Sequence, residues 1–285
     1  MGNCLRWGEF SGIKPLVYRH APSLFMKPNS QIALLALTLF AVSSLPVSAA
    51  DGNADQVLRQ MSSTLAAAPT FRFEATRDID SALLPGLAMP GTVRISALVQ
   101  RPNKFSARAV SKSGERRFVF NGKTLALFES KKNFYATVPM QKTIDGLVAE
   151  LDEKYGFVPP LIDFAVSDPY QELRRQAKSI THLGRSKIGG GFLGLGVIEC
   201  DHLLLKGPVA SAELWIGVTD HLPRRLVATF HRTGQPQLRI EFLKWDLFAK
   251  TTAADFTFIP PKGAEKIEMW TTKQMESLLS KTKKP

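Results

Sequence analysis

The residues of this chain that could do chemistry fall in a few short stretches. Cys200-Asp201-His202 sets a thiol, a carboxylate and an imidazole within three positions. Gly189-Gly190-Gly191-Phe192-Leu193-Gly194 satisfies G-x-G-x-x-G, the turn that lets a backbone approach a dinucleotide pyrophosphate. Gly122-Lys123-Thr124 has the ending of a Walker A phosphate loop. Asp145, Glu150, Asp152 and Glu153 offer carboxylates for acid–base work.

The elements that hold these residues decide what each can do. The glycines lie between the strand-like runs SITHLGRSKI and VIECDHLLLK, so no helix N-terminus is aimed at a phosphate. They read as a connection between strands. Arg117 stands where the first Walker glycine belongs, and a strand follows Thr124, so Asn121-Gly122 reads as a hairpin turn. On a strand, Cys200 and His202 share a face with Ile198 and Leu204, while Glu199 and Asp201 point the other way. Same-face neighbours lie about 7 Å apart between Cα atoms, too far for a thiol–imidazole bond. A shared metal needs a third ligand, and His182, His221 and His231 offer no ligand spacing. Cys200 and His202 therefore read as a buried structural thiol beside a hydrogen-bonded histidine. The four acids lie mostly opposite an apolar stripe of Ile144, Leu147, Val148, Leu151 and Tyr155, which makes them a solvated helix face. With no G-x-S-x-G elbow, H-E-x-x-H or EF-hand loop, we expect no catalytic, cofactor-binding or metal-binding residues.

The chain has 285 residues, 44% of them hydrophobic, an ordinary globular share that is unevenly spread. Residues 32–42 (IALLALTLFAV) form an apolar run too short to span a bilayer comfortably. Met26-Lys27 precedes it and Pro46-Val47-Ser48-Ala49-Ala50 follows, the layout of a secretory signal with its small-residue cleavage site. Residues 1–50 are thus expected to be a signal segment with translation starting at Met26. The mature chain would begin at Ala50 or Asp51 and keep one cysteine, Cys200, so its core must suffice without disulfides. The whole chain's 37 Lys and Arg against 25 Asp and Glu become 33 against 24, a net +9. Such a charge favours anionic membrane surfaces or acidic glycans and, outside the cytoplasm, not nucleic acid.

After a helix around Asn53–Leu65, capped by Asn53 and ended by Pro69, the sequence reads as about eleven strands with short connections. Two more helices interrupt them, one capped by Thr143 and one opened by Asp168-Pro169. Short connections imply antiparallel pairing. The expected fold is mainly β: an antiparallel, unclosed β-barrel with helices covering its concave apolar face. Phe71, Phe73, Phe118, Phe120, Leu125, Leu127, Phe134, Trp215, Phe230 and Phe242 lie in the strands. Each alone is core packing; together they leave room for a ligand-sized apolar cavity. Phe192, Leu193 and Leu195 put bulky apolar groups on the glycine-hinged connection, which reads as a gate at the cavity mouth. A polar, basic tail over 269–285 completes the chain, with a short helix around 270–279.

The order of signal segment, helix (ADQVLRQMSSTL), strand (FRFEATRDI) and antiparallel ladder resembles the LolA/LolB/LppX group of envelope lipoprotein and lipid carriers. Several blocks are similar to a bacterial family of predicted periplasmic proteins, domain-of-unknown-function family two thousand and ninety-two. They are FNGKTLALFESKKNFYATVP, TIDGLVAELDEKYGFVPPLIDFAVSDPY, ECDHLLLK, ELWIG, LPRRLVATF and FTFIPPKGAEKIE, and the resemblance spans residues 51–268. It implies a LolA-like half-barrel domain and a monomeric periplasmic carrier of a lipid, acyl chain or lipoprotein, without catalysis. An envelope enzyme of hydrolase type and a structural module that binds an envelope protein stay open as alternatives.

Overall fold

The computed structural model describes residues 49–83, 91–159, 161–189, 196–274 and 277. Eleven strands form where the apolar alternation places them. The first meander is β1 (Thr70–Ile79), β2 (Val93–Gln100), β3 (Lys104–Ser111), β4 (Gly114–Phe120), β5 (Thr124–Glu129) and β6 (Phe134–Pro139). The second is β7 (Ser179–Ile188), β8 (Ile198–Lys206), β9 (Ala210–Gly217), β10 (Pro223–Phe230) and β11 (Gln237–Asp246). A twelfth, the two-residue β12 (Glu265–Lys266), follows them. Pairing of β1 with β11 joins the meanders into one sheet, ordered β12-β6-β5-β4-β3-β2-β1-β11-β10-β9-β8-β7. The sheet is open, with β12 and β7 at its edges. Strand β12 corrects the all-antiparallel expectation. It reaches the edge after the C-terminal segment has crossed the sheet, and so runs parallel to β6.

Local chemistry sets the turns and caps. Asn121 Oδ1 accepts the backbone N–H groups of Lys123 (3.0 Å) and Thr124 (2.8 Å), and Gly122 takes φ +85. A Cβ on Gly122 would lie 2.5 Å from Asn103 Nδ2, so the hairpin needs glycine twice over. Helix α1 (Ala49–Ala67) begins before Asn53, which lies inside the helix and does not cap it. Thr143 caps α2 (Ile144–Glu150) by accepting the N–H of Gly146 at 3.2 Å. A π-helical turn, Leu151–Tyr155, then ends at Gly156 in the left-handed region. Asp168 caps α3 (Pro169–Gln176) by accepting the N–H of Gln171 at 3.1 Å.

One face of the sheet, here the inner face, carries the shared core. Phe71, Phe73 and Ala75 of β1, Ile95, Ala97 and Val99 of β2, and Leu203 and Leu205 of β8 are buried there. They pack in one cluster with Val57, Leu58, Met61 and Leu65 of α1 and Ile144 and Leu147 of α2. On the outer face Phe256 packs with Leu98 and Ala249, and Phe258 lies 5.6 Å from Tyr135, so the segment after β11 crosses that side. No helix among the described residues is long and apolar enough to cross a membrane.

Candidate functional site

Strand alternation aims Phe105, Ala107 and Ala109 of β3, Phe118 and Phe120 of β4, and Leu125 and Leu127 of β5 at the inner face. Burial along these strands is graded. At the end near the β2–β3 turn, Phe71, Phe105, Phe120 and Leu125 are fully buried. That end is closed by Arg101, whose Nη1 donates to the carbonyls of Ala165 and Val166 at 2.7 Å each. Its guanidinium also lies 5.6 Å above the Phe71 ring. Burial lowers the pKa of Arg101, partly offset by Asp145. Towards the opposite end, inner-face Ala107 and Ala109 are only half-buried while still packing on the core.

Towards that end charged side chains enter the inner face among the described residues. The series Phe71, Phe73, Ala75 on β1 continues into Arg77, and Phe120, Phe118 on β4 continue into Arg116. Glu129, the cross-strand partner of Arg116, is buried and accepts the N–H of Lys131 at 2.8 Å. Burial, and then the charge of Arg116, lowers the pKa of Arg77 to about 10, against a smaller opposing effect of Asp78. Arg116 is likewise lowered by burial and raised by Glu129. Sequence reasoning missed these three residues. Their signal was a charge in phase with the apolar side of the strand alternation.

Of the ten residues expected to line a cavity, seven lie in the shared core: Phe71, Phe73, Phe118, Phe120, Leu125, Leu127 and Phe242. Phe242 meets Phe73 at 5.8 Å, Phe164 at 5.3 Å and Trp245 at 5.2 Å, and neither Phe164 nor Trp245 had been singled out. Phe134 pairs with Glu129 and is half-buried. Phe230 is buried in a separate cluster with Ala210 and Ala228. Trp215 is a correction. Its strand neighbours Leu214 and Ile216 are core, so alternation puts its indole on the outer face. There it stacks on His202 with centroids 4.1 Å apart, and Arg225 lies 5.5 Å from its ring. Phe192, Leu193 and Leu195 lie outside the described residues.

Cys200 and His202 share the outer face as alternation requires. His202 Nε2 lies 2.7 Å from Glu213 Oε2. Cys200 is fully buried, its thiol 3.8 Å from the Ile198 carbonyl and its pKa pushed up to about 11 by burial. Such a thiol stays protonated at neutral pH and makes a poor nucleophile. Asp201 points inward, where His182 Nε2 lies at 3.0 Å and Arg185 Nε donates at 3.3 Å. His182 Nδ1 accepts the N–H of Gly184 at 3.1 Å, so the ring's proton sits on the Asp201 side and neither nitrogen is free to act as a base. Among the described residues no group of three His, Cys, Asp or Glu side chains could hold a metal ion.

The family described as predicted periplasmic protein (DUF2092) matches residues 54–270, and the chain belongs to it. No curated protein matches. Among solved structures, the chain is similar to an uncharacterised conserved protein from Thermus thermophilus, at 11% identity and a TM-score of 0.47, over 75% of this chain and 98% of that one. A crystal structure of MucB aligns at 12% identity and a TM-score of 0.44, over 73% of this chain and 63% of MucB. A LolA superfamily protein from Nitrosomonas europaea aligns at 9% identity and a TM-score of 0.35, over 72% of this chain and 97% of that one.

Proposed function

We propose that this member of the predicted periplasmic family is a non-catalytic binding or carrier protein for a hydrophobic ligand, an acyl chain, lipid or lipoprotein. In this reading residues 26–50 direct export, residues 51–268 form the binding unit, and α1, α2 and α3 cover the concave apolar face. One observation carries it: the inner face grades from fully buried Phe105 to half-buried Ala107 and Ala109. A core made only to stabilise the sheet gains by burying such residues completely, at about 25 cal/mol per Å². An apolar floor whose burial falls off at Ala107 and Ala109 suits a ligand that completes it. Phe118, Phe120, Leu125 and Leu127 would flank the chain, and the net +9 of residues 51–285 would favour delivery from or to an anionic membrane.

Native mass spectrometry of protein purified from its own periplasm tests this. Mass additions that dissociate as acyl lipids support it, and an unliganded protein that takes up no acyl chain on incubation ends it. A second reading, a module that binds another envelope protein, is supported by apolar groups beside the end of β11. Phe248 is 90% exposed and Leu243 52%. Replacing both should then abolish partner capture without changing lipid content.

A further inference from the structure

The connections between strands leave the sheet at two ends, and the two ends differ in charge. One end holds the β3–β4, β5–β6, β8–β9 and β10–β11 turns, the entry to β7 and the segment that leads into β12. Among the described residues, the connections and terminal strand positions there carry six exposed bases. Lys112 and Lys131 stand on neighbouring turns, joined where Ser130 Oγ accepts the N–H of Glu115 at 2.7 Å. Lys262 lies beside them, since Asn133 Nδ2 donates to its carbonyl at 3.5 Å. Lys178 and Lys206 are adjacent at the far edge, where the Lys178 N–H donates to the Lys206 carbonyl at 2.7 Å. Arg232, on the β10–β11 turn, stands between the two groups in the strand order. In the same positions Asp80 and Glu265 are the exposed acids among the described residues, and Asp80 accepts the N–H of Gln237 at 2.7 Å. Residues 84–90, between β1 and β2, include no charged residue. By the same measure the other end is near balance, with exposed Lys123, Lys142 and Lys250 against Asp220 and Asp246.

The arrangement of the bases points to the shape of what they meet. They come from separate connections spread along the row of strands, not from one pocket. A small anion needs donors that converge on one point. An extended negative surface needs only that each cation come within the screening length, about 8 Å at physiological ionic strength. An apolar tip stands at the same end. Ile259 is 75% exposed, next to exposed Pro260. It is held in place: Phe258 before it lies 5.6 Å from Tyr135 and 6.2 Å from Phe128, and Asn133 bonds to Lys262 after it. An isoleucine kept in water beside lysines gains by entering the apolar part of a bilayer interface, while lysine stems leave their charges at the head groups. An acidic protein would match the charges and leave the tip unexplained.

We propose that this end of the sheet is the face set against an anionic bilayer, with Lys112, Lys131 and Lys262 on the head groups and Ile259 at the level of the upper acyl carbons. This deepens the carrier reading and rests on it. The net charge of the chain gives no orientation, whereas its concentration at one end selects one. Burial of the inner face falls off towards the same end, at Ala107 and Ala109, so docking there brings the less-buried part of the floor nearest the lipid.

Vesicle co-sedimentation of protein purified from its own periplasm tests the assignment, with phosphatidylcholine vesicles and with vesicles that also contain phosphatidylglycerol. We expect wild type to bind the anionic vesicles about tenfold or more tightly, and to lose that preference at high salt. Lys112→Glu with Lys131→Glu should weaken anionic-vesicle binding by about tenfold or more. Lys123→Glu with Lys250→Glu makes the same change in net charge at the other end and should alter it by less than about twofold. All four positions are exposed, so both variants should keep the wild-type Tm. Ile259→Ser should weaken the part of the binding that survives high salt. Equal losses from the two charge-reversal pairs overturn the docking face and leave the carrier reading standing. So does a protein that retains acyl lipid and binds neither kind of vesicle. Capture of polyglutamate without vesicle binding would give the face to an acidic protein and overturn the bilayer assignment. A protein that neither retains lipid nor binds vesicles removes both.

Discussion

The Tyr170 hydroxyl of α3 donates to Asp55 Oδ1 of α1 at 2.6 Å and at the same time accepts from Arg59 Nη2 at 2.6 Å. Arg59 also donates to Asp55 Oδ2 at 2.7 Å and its guanidinium lies 3.9 Å from the centre of the Tyr170 ring. Close by, Ser62 accepts the N–H of Tyr170 at 3.0 Å and donates to Asp168 at 3.1 Å. These bonds tie together two helices far apart in sequence. Tyr170→Phe keeps the ring and removes the hydroxyl. We expect a loss of about 1 kcal/mol, a fall in Tm of roughly 2–4 °C for a domain of this size. If the helices cover a binding face, the variant should also release bound lipid faster, as stopped-flow displacement of a fluorescent fatty acid would show. An unchanged Tm removes the idea that this pair secures the helices.

Asp163, half-buried between α2 and α3, has its pKa raised from 3.8 to about 7 by burial and then by Glu172, against an opposing pull from Arg175. The folded value lies above the unfolded one. Its contribution to stability is therefore full below about pH 4 and is lost as the pH rises through about 7. Asp163→Asn should leave Tm nearly unchanged at pH 4 and raise it at pH 8. Melting curves across that range check it, and a variant less stable than wild type at pH 8 contradicts the assignment.

The fully buried Cys200 thiol, held protonated, should resist alkylation in the native protein and react only on unfolding, which a maleimide mass shift in and out of urea would show. Cys200→Ser puts a hydroxyl in the same place and should cost about 1–3 kcal/mol. His202→Ala should cost less, since its bond is to Glu213, itself 40% exposed. If either variant abolishes a measured activity while its Tm holds, the non-catalytic reading is wrong.

The expectation from the sequence that Phe192, Leu193 and Leu195, which lie outside the described residues, form a gate has its own test. Phe192→Ser combined with Leu193→Ser should speed lipid exchange and leave thermal stability almost unchanged. A large drop in Tm with lipid retention intact would make these residues ordinary packing.

Alternation of residue types along each strand was enough to place eleven strands, the Asn121-Gly122 hairpin and the Thr143 and Asp168 caps, because these are set by contacts within a few residues. It also put Cys200 and His202 on one face, and it dismissed the glycine-rich run as a cofactor turn on the strands around it. Alternation says which side chains share a face of one strand, but not which face of the assembled sheet meets the core. Trp215 was therefore assigned inward on its apolarity. Only the pairing of β9 with β8 and β10 shows it turned outward between His202 and Arg225. The same limit hid Arg77 and Arg116, whose inward placement follows from the register of β1 through β5 and not from their own type. The twelfth strand and the Tyr170–Asp55 bond depend on where the chain returns after more than a hundred residues, a long-range closure that no local pattern encodes.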